Sequence, residues 1–367
     1  MAGLSFKEHE RFPGAVSTSA SRLTGVTFTV DGDYQTDPGF YLNNQEYVRR
    51  PSGYFVPAGE LVTITVPDAA VDQGLSVYIG AHRKNLQETF NEFRRFPRTS
   101  TTFPLDSKTV KVTNPFGGGI YIAIPDGNQL GPLTFQVDGA VKAPYYCTKE
   151  GFSNSLEDFM AEIQKAEVPY IDMESENFMT TITNGMAVQM TDPDSILSVW
   201  DKSFDAINMA LGRPQKRFRS EYIIQDRQSH VKYTGAPAAY PMSLEVYAYP
   251  YEEVWQQPVD VEYGRGWYNR SVGETFNRVL FHEYGHLHNM PTLANEQETN
   301  VHLLATVAYS EAMGESIDSA FVYALVQRLN LEQATFDWIL TPNFTNGKRI
   351  GFDPNNPWDQ LLYQSRG

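Results

Sequence analysis

The chain has 367 residues, 41% of them hydrophobic, enough for a substantial core in one large domain or two ordinary ones. Its 44 acidic against 29 basic side chains leave a formal charge of −15, which argues against nucleic acid and anionic membrane as principal partners. A single cysteine, Cys147, excludes an internal disulfide and reads as a buried, inert thiol, and no apolar run is long enough to span a bilayer.

Residues 1–22 read as an N-terminal arm, loosely held, polar and broken by Pro13 and Gly14. Met1-Ala2-Gly3 opens no charged-then-apolar leader, so export needs a leader outside this chain or another route. From Leu23 to Val141 short runs alternate with a period near two: 25–30, 61–66, 75–79, 109–112 and 133–137. Separated by turn residues, with at most one helical turn near 86–95, they predict an antiparallel β-sandwich over 23–142. Gly117-Gly118-Gly119 lacks the Lys-Ser/Thr and the helix of a phosphate loop, and reads as a turn or bulge with close backbone approach. His82-Arg83-Lys84 and Arg94-Arg95 read as solvated faces.

The texture changes at Ala143-Pro144. Amphipathic spacing predicts helices over 155–166 and 192–211, the second opened by Asp192-Pro193 and stopped by Gly212-Arg213-Pro214. Strands are expected over 178–190, 220–224 and 244–249, and helices over 315–329 and 331–340. The fold class is therefore α+β, with 143–367 as the second, mainly helical domain. Asn269-Arg270-Ser271 and Asn343-Phe344-Thr345 match the N-glycosylation pattern and carry little weight.

The chemistry concentrates in His282-Glu283-Tyr284-Gly285-His286. Two histidines four apart project from one face of a helix and can share a metal ion, and the intervening glutamate can take a proton from water there. Ser271 and Glu274 form a capping box, and Phe276, Val279, Leu280, Tyr284 and Leu287 give the apolar pattern that ends before Pro291. A hydrolytic zinc needs a third protein ligand. Candidates are Glu296 and Glu298, on a second helix that runs to about Tyr309 and whose stripe is Val301, Leu304, Val307 and Ala308. Glu296 lies nearer the centre of the stripe than Glu298, so Glu296 is the expected ligand and Glu298 a cap. Asn300, one turn beyond Glu296, can orient it. His288 falls about 160° off the ligand face and is expected at the surface or the rim.

These residues resemble the M60-like peptidases, the enhancin and mucin-cleaving metalloproteases. That family shows H-E-x-G-H, a spacer, then Glu with Asn-Val or Asn-Ile four and five residues on, as in Glu296 to Val301. Gly53 to Glu60, Asn114 to Ile122 and Val199-Trp200-Asp201 also resemble recurrent family segments, so the resemblance covers roughly 50–367. One departure is Gly235 to Pro241, where the family's Gly-x-Met-His-x-Gly-Tyr-Pro has lost its histidine. The chain also stops where family members usually continue. The resemblance implies a mainly helical zinc-metallopeptidase domain with a small edge sheet along the substrate. It further implies one Zn2+ per chain, held by His282, His286 and Glu296, with Glu283 as general base. The oxyanion donor is left open between Tyr240 and Tyr268. The substrate class implied is mucin-type O-glycosylated protein, cut outside the cell or at its surface by a monomer. Two alternatives stand beside it: a catalytically idle M60-like module, and a glycan-binding adhesion protein.

Overall fold

Alternation between Val26 and Lys142 produces nine strands, because each second side chain can then be buried on one face. The computed structural model describes residues 2–36, 46–83, 85–88, 93–215, 217–228, 240–245, 281–288 and 297–324, with backbone alone at 88, 244–245, 297–300 and 322–324. In chain order the strands are β1 (Val26–Tyr34), β2 (Tyr47–Val56), β3 (Val62–Thr65), β4 (Ser76–Ile79), β5 (Thr101–Pro104), β6 (Thr109–Val112), β7 (Gly118–Pro125), β8 (Asn128–Asp138) and β9 (Val141–Lys142). They pair antiparallel into two sheets, of order β1-β8-β3-β6 and β5-β4-β7-β2-β9. The first contributes Phe28, Ile64, Val112 and Phe135, and the second Val48, Val77, Ile79 and Ile122, to one shared apolar core. The register sets Phe28 opposite Phe135, with the rings stacked 5.3 Å apart.

Two elements depart from the sequence reading. β2 hides behind Arg49, Arg50, Pro51 and Gly53, yet nine of its ten residues are buried. Its charges are met by tertiary partners: Arg50 pairs with Asp31 at 3.0 Å, and the Arg49 guanidinium lies 4.7 Å from the Tyr78 ring centroid. The N-terminal arm is anchored, not loose. Phe12 is buried against the rings of His82 and Tyr170, 4.6 and 6.4 Å away, and the Phe6 amide donates to Pro115. At Gly118 the expected close approach is present, since a Cβ there would lie 2.5 Å from the Gly80 backbone.

A third sheet follows: β10 (Tyr145–Cys147), β11 (Tyr170–Glu174), β12 (Phe178–Thr183), β13 (Glu221–Asp226) and β14 (Met242–Glu245), paired in that order. All its pairs are parallel except β11 with β12. A small edge sheet was expected; instead this layer has five strands and is buried on both faces. Ile171, Met173, Phe178, Ile182 and Ile223 point into a core under the helices. Met179, Tyr222 and Ile224 point into the core of the first two sheets. Met1–Ala324 is accordingly one compact unit, and the layers on either side of the 142/143 division share a core.

The helices α1 (Leu156–Ile163), α2 (Asn184–Ala187) and α3 (Pro193–Ala210) pack on the outer face of that sheet. Ser155 caps α1 by accepting from the Asp158 amide, and Asp192 caps α3 by accepting from Ser195 at 3.0 Å, with Pro193 in the first turn. No helix among the described residues is long and apolar enough to cross a membrane.

Asp172 of β11 is buried where the third sheet meets β7. It accepts hydrogen bonds from Tyr121 at 3.0 Å and from Thr181. Burial outweighs those bonds and pushes its carboxyl up to about 7, from 3.8. The folded state therefore holds the proton more tightly, and stability falls as pH rises between those two values, levelling above them. Asp172→Asn keeps an acceptor oxygen for both hydroxyls and removes the charge. Its gain in Tm is expected to be larger at pH 8 than at pH 4, and calorimetry showing equal gains would refute the charge argument.

Candidate metal centre

The H-E-x-x-H segment is helical. Residues 281–286 form the described part of α4, followed by α5 (Gln297–Met313) and α6 (Ile317–Ala324). One face of α4 is apolar and buried: Phe281, Tyr284 and Leu287 join the core under the third sheet. Phe281 lies 5.2 Å from Trp200 and 5.5 Å from Tyr309, and Tyr284 meets Phe204 edge-on at 4.9 Å. Edge-to-face aromatic pairs each add about 0.5–1.5 kcal/mol beyond area burial. They fix the rotation of α4, so His282, Glu283 and His286 are turned to the partly exposed side.

Gly285 sets the distance between α4 and α5. A Cβ at this position would meet Cβ and Cγ1 of Val301 at 2.8 Å and its Cα at 3.0 Å. No real carbon pair tolerates that spacing, so the fourth residue of the motif must be glycine wherever Val301 packs as it does here. Alanine would gain up to about 1 kcal/mol of helix propensity. Forcing a methyl into a packed contact costs about 1–3 kcal/mol, which outweighs it. Gly285→Ala is expected to lower the unfolding free energy by about 1 kcal/mol or more, and Val301→Ala in the same chain to recover much of the loss. Denaturant melts of the two single variants and the double variant measure the coupling; additive effects would remove this explanation.

The two imidazoles converge. His282 Nε2 and His286 Nε2 lie 3.0 Å apart, with ring centroids 4.7 Å apart and planes nearly perpendicular. Two nitrogens bound to one zinc at about 2.0–2.1 Å with tetrahedral angles would lie about 3.3–3.4 Å apart. The pair therefore fits a divalent ion with a small outward adjustment. Among the described residues no group of three or more His, Cys, Asp or Glu side chains is placed to hold a metal. The expected third ligand, Glu296, and the candidate Tyr268 lie outside the described residues, as does the predicted capping box. Asn300 and Glu298 sit on the first turn of α5, whose backbone is described and whose side chains are not.

Three residues are placed differently from, or beyond, the sequence reading. His288 is not at the surface: it is 5% exposed, and burial with Arg217 beside it holds its imidazole well below the usual range. Helical continuation would have kept it outside, but the chain leaves the helix after His286 and turns inward. Tyr240 is buried, with its hydroxyl accepting from the Arg49 amide at 3.1 Å and its ring 3.9 Å from the Arg219 guanidinium. The sequence reading missed His302 of α5, whose ring centroid is 5.0 Å from that of His282. The available signal was a third histidine next to Val301, the residue that packs on Gly285. Cys147 is fully buried, and burial first and Glu174 second push its thiol up to about 11, so it is inert as expected.

The family model for the N-terminal domain of M60-like peptidases matches residues 28–138, and that for peptidase M60, enhancin and enhancin-like, matches residues 139–339. A TRPM8 channel-associated factor homolog from Danio rerio is 30% identical over 193 residues, 53% of this chain and 20% of that protein. The chain thus spans about a fifth of the length of the curated relatives it matches. Among solved structures, a functionally unknown conserved protein (a mutant) from Bacillus anthracis superposes with a TM-score of 0.59 at 16% identity, covering 89% of this chain and 62% of that one. IMPa from Pseudomonas aeruginosa, in complex with an O-glycopeptide, superposes with a TM-score of 0.55 at 14% identity, covering 90% and 38%. At these identities the solved structures speak for the fold alone, while the two family models cover nearly the whole chain. The chain belongs to the peptidase M60 family, enhancin and enhancin-like.

Proposed function

We propose that this chain is a zinc-dependent endopeptidase acting on O-glycosylated, mucin-type proteins, with residues 143–367 as the catalytic domain behind an N-terminal β-sandwich at 23–142. The observation that carries the reading is the 3.0 Å approach of the two Nε2 atoms on a helix whose glycine is dictated by packing. His282, His286 and Glu296 hold the ion, and Asn300 orients Glu296. A zinc ion held there supplies a Lewis acid that brings the pKa of water toward neutrality and polarises the substrate carbonyl. Glu283, adjacent to His282 and on the exposed side of α4, takes the proton of the attacking water on its carboxylate and delivers it to the leaving amine nitrogen. The donor to the developing oxyanion is Tyr240, whose hydroxyl accepts from the Arg49 amide and keeps its own proton to give, or Tyr268. The substrate class is supported by the IMPa complex, which contains an O-glycopeptide. That substrate class is what supports action outside the cell; the monomeric state is part of the proposal without further support.

A second reading, a module without turnover, is favoured by the name of the Danio rerio relative, a channel-associated factor homolog. Against it stands the intact His282-Glu283-His286 set. Elemental analysis of the wild type and of His282→Ala and His286→Ala, with mass spectrometry of one peptide digested with and without its O-glycan, separates the two. The proposal expects one zinc in the wild type, loss in both variants, and cleavage that needs the glycan. Full zinc in both variants would end the ligand assignment. Equal cleavage of both peptides would end the glycan requirement, and no cleavage of either would favour the module.

A further inference from the structure

The end of the site helix is held from behind by a buried polar chain. His288 Nδ1–H donates to the Tyr284 carbonyl at 2.9 Å, and His288 Nε2 lies 3.1 Å from Arg217 Nη2. A guanidinium can only donate, so Nε2 accepts and the imidazole is neutral, with its proton on Nδ1. Arg217 also donates to Glu221 Oε1 of β13 at 3.1 Å and to Asn208 Oδ1 of α3 at 3.2 Å. Its guanidinium lies 4.6 Å from the Phe204 ring centroid, and its amide donates to Asn177 Oδ1 at 3.0 Å. Both Arg217 and Glu221 side chains are fully buried. One side chain thus ties the last turn of α4 to the third sheet and to α3 at once.

That turn carries His286. The last carbonyls of a helix have no partner within it, and the turn bearing them frays. Here the Tyr284 carbonyl receives the Leu287 amide at 3.1 Å as well as the His288 ring. We propose that His288, gripped by Arg217 and Glu221, is a positioning residue for His286: it pins the final turn of α4 so that His286 Nε2 stays facing His282 Nε2. This rests on reading the two histidines as metal ligands. Groups that orient metal ligands from outside typically contribute 10–100-fold in metal affinity, and His288 acts through one turn of backbone, so the lower end of that range applies.

The test is a chelator-competition titration of the full chain with Zn(II), together with the visible spectrum of the Co(II) form. His288→Leu fills the space but neither donates nor accepts; it is expected to weaken binding about 10-fold and to change the Co(II) bands. His288→Gln can still offer an oxygen to Arg217 and is expected to recover most of the affinity. A residue that only stabilises the fold would lower the Tm while leaving the folded protein's affinity and spectrum unchanged, and that result overturns the proposal. Should the Leu variant not fold, His288→Asn takes its place, since it keeps a donor for the Tyr284 carbonyl but stops short of Arg217; wild-type affinity in it would be equally fatal. If the wild type itself takes up no metal, the reading of the site falls, and the positioning role falls with it. If it binds and the variants bind as tightly, only the positioning role falls.

Discussion

Glu283→Gln is expected to keep the fold and the metal while lowering turnover about 10²–10⁴-fold, the usual worth of a general base. The side chain lies on the partly exposed face of α4, turned away from the core that buries Phe281 and Tyr284. Glutamine has the same shape and nearly the same helix propensity, so its effect on stability is within about 0.5 kcal/mol. The amide can still hydrogen-bond a water molecule beside His282, but it cannot take that water's proton. Turnover, zinc content and Tm measured on one preparation separate these effects. Near-full turnover in the variant would remove the peptidase mechanism, whatever the metal content.

The second large effect concerns the third ligand, and there two glutamates should fail differently. Glu296→Gln takes away the one anionic donor of the proposed set and leaves a poor neutral one beside a dication, so zinc should be lost or bound far more weakly. Glu298→Gln should cost about 1 kcal/mol at most, the worth of a cap. The choice of Glu296 used a stripe that included Val307. In the structure Val301, Leu304, Ala305 and Ala308 of α5 are buried and Val307 is only half-buried, so the inward face is turned toward Ala305 and the wheel no longer favours Glu296, which stands on the family resemblance. Metal analysis of both variants decides. Zinc lost with Glu298→Gln and kept with Glu296→Gln would make Glu298 the third ligand.

The helices α1 and α3 were legible because their starts are written in local chemistry, Ser155 with Asp158 and Asp192-Pro193 with Ser195, and local chemistry needs no tertiary partner. The same holds for the spacing of His282, Glu283 and His286, and for strands such as β3 and β8 that bury one face and alternate openly. β2 was not legible. Its Arg49 and Arg50 can be buried only because the rings of Tyr78 and Tyr222 and the carboxylates of Asp31 and Glu174 are brought to them across the fold. In the third sheet β12, β13 and β14 were legible as strands, but not the burial of both its faces: β13 reads Glu-Tyr-Ile-Ile-Gln-Asp yet is buried throughout, because Glu221 and Asp226 meet Arg217 and Arg95 there.

The sequence by itself determined that two imidazoles and a carboxylate share one short stretch of helix, since a helix repeat sets that spacing without help from the rest of the chain. Only the tertiary structure decided which face of that helix looks outward, why its fourth position is glycine, and where His288 goes. Those are set by Trp200, Phe204, Val301 and Arg217, residues that come to this segment from 16 to 84 positions away along the chain. Periodicity reports what a segment would bury; it does not report what will arrive to bury it.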